Sequence, residues 1–314
     1  MKHALLLAFL LMIVFLSIAL DLNAQAVFSI QSPNSKIDLN IRLTDKIELE
    51  VLLDSIIVLN YSKIALEIDS IVLGETPKVL KKITNSMDDN IIPVVPEKFK
   101  NIRDRYNEMI LLFKGKYRVN FRAYDNGIAW QWETTSKDEV VINNETVDFH
   151  FPEESHVWFP EEQSFFSHNE RYYLYERLDG ISNERFCSLP ALIETAIGPK
   201  LLITESSLFD YPGMWLRGTG SNLLKAIFPG MALEEEQTND RNVKVSKHAD
   251  YIANTNGSRT FPWRIVAIAE NDAELITNQL GYILGKPCAI GDPSWIKPGK
   301  VAWDWWNDWN IYGG

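Results

Sequence analysis

The sequence predicts a mainly β protein: one large antiparallel β-sandwich over residues 25–270, a helix and linker over 271–299, and one further strand over 300–314. Three observations predict it. Apolar side chains recur at every second position through most of the chain, the period of a strand with one buried face. Short polar or glycine-containing links join these runs, as in hairpins. The helical period of about 3.6 residues is met once, at 271–284.

The chain opens on Met1-Lys2-His3, followed by the apolar run 4–20 and a DLNAQA segment in which Ala24 precedes Gln25. A basic start, an apolar run and a small residue before the cut make the layout of a secretory signal peptide, here residues 1–24. The alternative is an uncleaved anchor, because the run nearly spans a hydrocarbon core of about 30 Å. After cleavage no membrane segment is expected, since no later run is long and apolar enough to cross.

In 37–43, Ile37, Leu39, Ile41 and Leu43 alternate with polar residues, and 47–53 repeats the pattern after the short link Thr44-Asp45-Lys46. Residues 64–73 read as a further strand. The clearest unit is 116–134. Tyr117, Val119, Phe121 and Ala123 alternate with Arg118, Asn120 and Arg122, and Ile128, Trp130 and Trp132 resume the alternation. Asp125-Asn126-Gly127 makes the turn between them, because Asn and Gly tolerate positive φ. Residues 140–151 read as another strand pair, and 190–196, 200–206, 222–229 and 264–270 as strands between longer loops. Asn271 and Asp272 can cap a helix whose Leu275, Ile276, Leu280 and Ile283 share one face. Proline and glycine make 285–299 a linker. In the strand expected from 300, Val301, Trp303 and Trp305 share one face, and Ala302, Asp304 and Trp306 the other.

A net charge of -11 repels phosphate backbones and excludes nucleic acid as the expected partner. The sequence has no G-x-S-x-G elbow, P-loop, dinucleotide fingerprint or zinc-type Cys/His spacing. Cys187 and Cys288 form either one disulfide or two separate thiols. Glu205 and Asp210 stand at the end of a strand beside a rigid Asp-Tyr-Pro-Gly turn. They are either ligands for a hard cation or solvated loop acids. Glu194, in an otherwise apolar strand, is either a site carboxylate or an outward-facing residue. The segment 151–178 mixes aromatics with acids, which suits sugar rings and equally suits a loop packed on a β-domain. Asp304, Trp305 and Trp306 make either a sugar platform or the floor of a barrel, with Asp304 also able to accept from an indole N–H.

Four motifs in order resemble glycoside hydrolase family 97: YRVNFRAYDNGIAW (117–130), ITESSLFDYPGM (203–214), PWR (262–264) and KVAWDWW (300–306). The resemblance covers essentially all residues after the signal. It implies a galactose-mutarotase-like supersandwich, a helical linker, a (β/α)8 catalytic barrel whose first strand is KVAWDWW, and a C-terminal β-domain. The chain is then the front part of a longer enzyme, and its remaining partner is the missing barrel. The resemblance implies a periplasmic or secreted bacterial hydrolase that acts on α-glucosides or α-galactosides in oligosaccharides, with calcium as cofactor. The catalytic carboxylates belong to later barrel strands, so the fragment itself is expected to be inactive. Glu205 becomes the expected calcium ligand from this domain, with Glu194 in reserve. Asp304, Trp305 and Trp306 become expected substrate contacts at the C-terminal mouth of the barrel, where such folds place their sites. Ser206 stands where family members tend to have alanine. The alternative is a non-catalytic carbohydrate-binding or interaction module built on the same sandwich.

Overall fold

The computed structural model describes residues 26–96 and 98–300. The apolar alternation sets the first strands. β1 (Ala26–Gln31), β2 (Ile37–Leu43), β3 (Ile47–Leu53) and β4 (Ile56–Ile68) form an antiparallel meander in which β2 buries Ile37, Leu39, Ile41 and Leu43 on one face. β5 (Ile71–Leu73) folds back on β4. β6 (Val79–Ile91), β7 (Ile102–Phe113), β8 (Tyr117–Tyr124) and β9 (Gly127–His150) make a second meander. Then follow β10 (His156–Phe159), β11 (Glu161–Glu162), β12 (Leu174–Arg177), β13 (Phe186–Cys187), β14 (Ala191–Glu194) and β15 (Lys200–Ser206). The last strands are β16 (Trp215–Arg217), β17 (Leu223–Ile227), β18 (Ala232–Gln237), β19 (Val243–His248), β20 (Ala253–Thr260) and β21 (Trp263–Ala269).

The long strand β9 joins the two halves of the sandwich. Its first part pairs with β8 and β21, in the order β6–β7–β8–β9–β21–β15–β14–β10–β12. Its second part pairs with β4 and β17, in the order β1–β2–β3–β4–β9–β17–β16–β13–β11. β20 pairs along its middle, and β18 with β19 forms a separate hairpin. The inward faces meet in one large core that holds Phe113, Phe121, Trp130, Trp132, Phe149 and Phe159.

Three sequence expectations change here. The strand read over 64–73 is two strands, because Asp69 and Ser70 take positive φ and turn the chain between β4 and β5. The strand pair read over 140–151 is the second half of the single strand β9. The helix read over 271–284 is two short pieces, α1 (Asp272–Thr277) and α2 (Leu280–Ile283). Asn271 caps α1 as expected, by accepting from the Glu274 N–H. The break falls at Asn278, which is extended at ψ 131. Its amide donates to the Asn126 carbonyl and its Oδ1 accepts from the Leu280 N–H, so it ties the helix to the β8–β9 turn. The leader expected over 1–24 and, beyond Lys300, the strand expected over 300–314, with Asp304, Trp305 and Trp306, lie outside the described residues. Among the described residues no helix is long and apolar enough to cross a membrane. Cys187 is buried and Cys288 exposed, both as free thiols, so the disulfide alternative is not realised.

β21 is buried on both faces. Val266 and Ile268 face the main core. Trp263, Ile265 and Ala267 face the other way, into a smaller cluster closed by Leu280 and Leu284 of the α2 region. Gly127 sits at the seam with φ 151, and a Cβ there would lie 2.5 Å from the Val266 carbonyl oxygen and 2.7 Å from Leu280 Cδ1. Gly127→Ala is therefore expected to destabilise the chain by about 2 kcal/mol or more, measured by urea unfolding. A loss within error would mean that the backbone yields there.

Candidate functional site

Leu201 and Ile203 of β15 face the main core, and period two places Glu205 on the same face. Val266 and Ile268 of β21 do the same for Arg264, and Val147 and Phe149 of β9 for Glu145. Three charged residues thus converge inside an apolar core. Register makes Arg264 the direct cross-strand partner of Glu205.

The guanidinium of Arg264 donates from Nε to Glu145 Oε1 at 3.0 Å and from Nη2 to Glu145 Oε2 at 2.5 Å. Its Nη1 donates to Glu205 Oε2. The side chains of Arg264 and Glu145 are each 1% exposed and that of Glu205 is 9% exposed. The Met214 N–H donates to both oxygens of Glu205, at 3.0 and 3.1 Å. Tyr211 Oη donates to Glu145 Oε2 at 2.9 Å. The Arg264 guanidinium also lies over the rings of Phe228 and Tyr211, at 5.2 and 5.9 Å from their centroids. The loop 207–214 is therefore tied at both Tyr211 and Met214 to one buried charge centre.

Two carboxylates share one guanidinium, so the cluster carries surplus negative charge when both are ionised. Burial pushes the Glu205 carboxyl up to about 7, helped by the charge of Glu145, against the opposing pull of Arg264 and the Met214 N–H. Burial acts to lower the Arg264 guanidinium, but Glu145, Glu205 and Tyr211 together outweigh it and hold the group above its ordinary value. Burial first, and then Glu145, drive the Tyr211 phenol well above its usual range.

The end of β15 is anchored as well. Ser206 Oγ donates to the Gly281 carbonyl at 2.7 Å and Ser207 Oγ to the Leu284 carbonyl at 2.9 Å, so the serine that departs from the family pattern fastens the strand to α2. Asp210 is a loop acid that accepts from Thr255 Oγ1 at 2.8 Å, with its side chain 78% exposed. Glu194 is not part of this centre. It pairs with Lys200 at the opposite end of β15, faces outward, and accepts from Tyr175 Oη at 3.1 Å. In 151–178 the buried acid Glu162 is held by Arg171 at 2.8 Å and by Ser167 at 2.7 Å, a structural role.

Glu145 and Arg264 are the two members that reading the sequence for sites passes over. Arg264 stands in the quoted PWR motif, and a lone charge in the buried run WRIVAIA is the signal that marks it.

The chain matches the family described as Glycosyl-hydrolase 97 N-terminal over residues 30–287. It is 34% identical over 308 residues to the retaining alpha-galactosidase of Bacteroides thetaiotaomicron, covering 94% of this chain and 46% of that protein. The chain thus spans less than half the length of this curated relative. In fold it is similar to a Glycoside Hydrolase Family 97 enzyme in complex with acarbose from Pseudoalteromonas sp. strain K8, at a TM-score of 0.75 and 20% identity, over 87% of this chain and 40% of that one. It is also similar to a beta-arabinopyranosidase, at a TM-score of 0.64 and 17% identity, over 77% of this chain and 40% of that one. With a family match across most of its length and the antiparallel sandwich that this family's solved members share, the chain belongs to the N-terminal domain family of glycoside hydrolase family 97.

Proposed function

We propose that this chain is the N-terminal part of an exported, calcium-dependent hydrolase of α-galactosides or α-glucosides, inactive without its barrel. The identity to an alpha-galactosidase supports the substrate class. One observation in this chain supports the calcium reading: Glu205 closes β15 as the surplus carboxylate of a cluster whose single cation is already matched by Glu145.

Calcium takes about six to eight oxygen ligands. Among the described residues no group of three or more metal-binding side chains exists, so these residues do not build a complete site. What fits is one donor. Glu205 has a buried carboxylate whose negative charge is only partly balanced, and it would hold the ion together with ligands from outside the described residues. A calcium bound there supplies a fixed positive charge. The part played by this chain is to orient Glu205 through Arg264 and the Met214 N–H and to keep water from its inner side.

The test is hydrolysis of aryl α-galactosides and α-glucosides. Residues 25–314 alone are expected to give no turnover. Protein that also carries a barrel encoded beyond codon 314 is expected to turn over and to lose activity in EGTA. Turnover by the chain alone, a barrel-bearing protein indifferent to EGTA, or no barrel in any frame would each overturn the reading.

A second reading, sugar binding by the β-domain itself, is favoured by a groove of about 930 Å³ lined by Phe165, Phe166, Asp210, Tyr211, Met231 and His248. Aromatic faces and a carboxylate suit a sugar ring, and affinity electrophoresis on starch or galactomannan tests it.

A further inference from the structure

β6 is the edge of its sheet. Its 13 residues pair with β7 from Val79 opposite Phe113 to Ile91 opposite Ile102, and with no other strand among the described residues. Its outer row of N–H and C=O groups is an open template for another strand. The strand also stands out from the core. Leu80 is 70% exposed and Met87 45%, and Lys81, Lys82, Asp88 and Asp89 are exposed with them. No proline blunts it, and its lysines lie at one end only, with aspartates at the other.

The sequence of this edge, VLKKITNSMDDNI, is complementary to itself when read antiparallel about Asn85. Two copies crossed at Asn85 place Lys81 opposite Asp89, Lys82 opposite Asp88 and Ile83 opposite Met87, and symmetry repeats each pairing. Opposed residues in an antiparallel pair share a face, so each lysine meets its aspartate directly. A shift to Thr84 or Ser86 as centre loses both charge pairings. A centre between two residues would set outward-pointing backbone groups against inward-pointing ones, and is excluded. Asp88 already accepts from Arg103 at 2.7 and 2.8 Å, yet its side chain stays 54% exposed and open to a second cation.

We propose that β6 is a dimerisation edge, with a second copy of this chain as its partner, paired antiparallel across a twofold axis at Asn85. Such an interface is isologous: one patch serves both copies. The two sheets become one continuous sheet through the contact, and the charge pairs fix its register.

The test uses the chain after the leader, in sedimentation velocity over a concentration series. Wild type is expected to dimerise. K81D sets like charges opposite each other at two places in the dimer, and so does D89K. Each is expected to weaken dimerisation about tenfold or more while leaving the circular dichroism unchanged. An equal mixture of K81D and D89K is expected to restore the dimer, because opposite charges then face each other at both places. Misfolding cannot produce that rescue. A wild-type monomer at concentrations up to about 0.5 mM, a dimer that neither substitution weakens, or a mixture that stays monomeric overturns the proposal.

Discussion

Arg264→Met is expected to lower the stability of this chain by about 3–5 kcal/mol. The side chain is 1% exposed, and among the described residues its guanidinium is the one cation paired with Glu145 and Glu205 inside the core. Methionine fills much of the same space, so lost volume accounts for little of the effect. The cost comes from two carboxylates left buried in the apolar core, where each must take up a proton or stay charged without a cation. Tyr211 then hydrogen-bonds to a carboxyl that has lost its other partner, and the Met214 N–H to another, so the loop between them loosens too. The check is urea unfolding followed by tryptophan fluorescence, to which the buried Trp130 and Trp132 contribute. The triple variant E145Q/R264M/E205Q should recover at least half of the loss, because it removes the unpaired charges that the single change creates. A loss under about 1 kcal/mol for Arg264→Met would mean that the cluster is held by something other than its charges.

Much of this fold is legible in the sequence because most strands bury one face. β2, β3, β8 and the start of β9 were readable from apolar residues at alternate positions, and Asn126-Gly127 gave the turn. β6 was not, for a physical reason. It is exposed on both faces, so it has no alternation to read. The phase of β9 also changes part-way. Val140 and Ile142 are buried, and then Glu145, Val147 and Phe149, with the pairing to β4 irregular between Glu67 and Ile68. An extra residue at that bulge turns Glu145 inward, which a uniform period of two does not foresee. Glu205 was visible as a candidate because it ends a strand beside the Asp-Tyr-Pro-Gly turn. Its partners were not visible, because the register that sets Arg264 opposite it joins residues 59 apart in the chain, and Glu145 lies 119 from Arg264. The tryptophan-rich end, most suggestive in the sequence, lies outside the described residues.

The stability of the chain is expected to fall by about 3 kcal/mol between pH 4.5 and 8 through Glu205 alone. The sign follows from its raised carboxyl, at about 7 in the folded chain against an ordinary value of 4.5. This contribution is fully present below pH 4.5, where folded and unfolded chains both hold the proton. As pH rises the unfolded chain releases its proton first, while the folded chain keeps it. Each pH unit in that window removes about 1.4 kcal/mol, and the loss levels off above about 7, once the folded chain has ionised as well. Glu205→Gln mimics the protonated carboxyl and should flatten this slope. The measurement is urea unfolding of both proteins at intervals from pH 4.5 to 8, with the difference between them isolating Glu205 from the other carboxyls. Parallel curves would mean that Arg264 keeps Glu205 ionised throughout. A cation bound at Glu205 opposes the same slope, since it favours the ionised carboxylate in the folded state and releases the proton on binding. In a barrel-bearing protein the wild type should therefore release protons on adding calcium at pH 6, and Glu205→Gln should release fewer. Equal release by the two would separate Glu205 from the metal while leaving its place in the buried cluster intact.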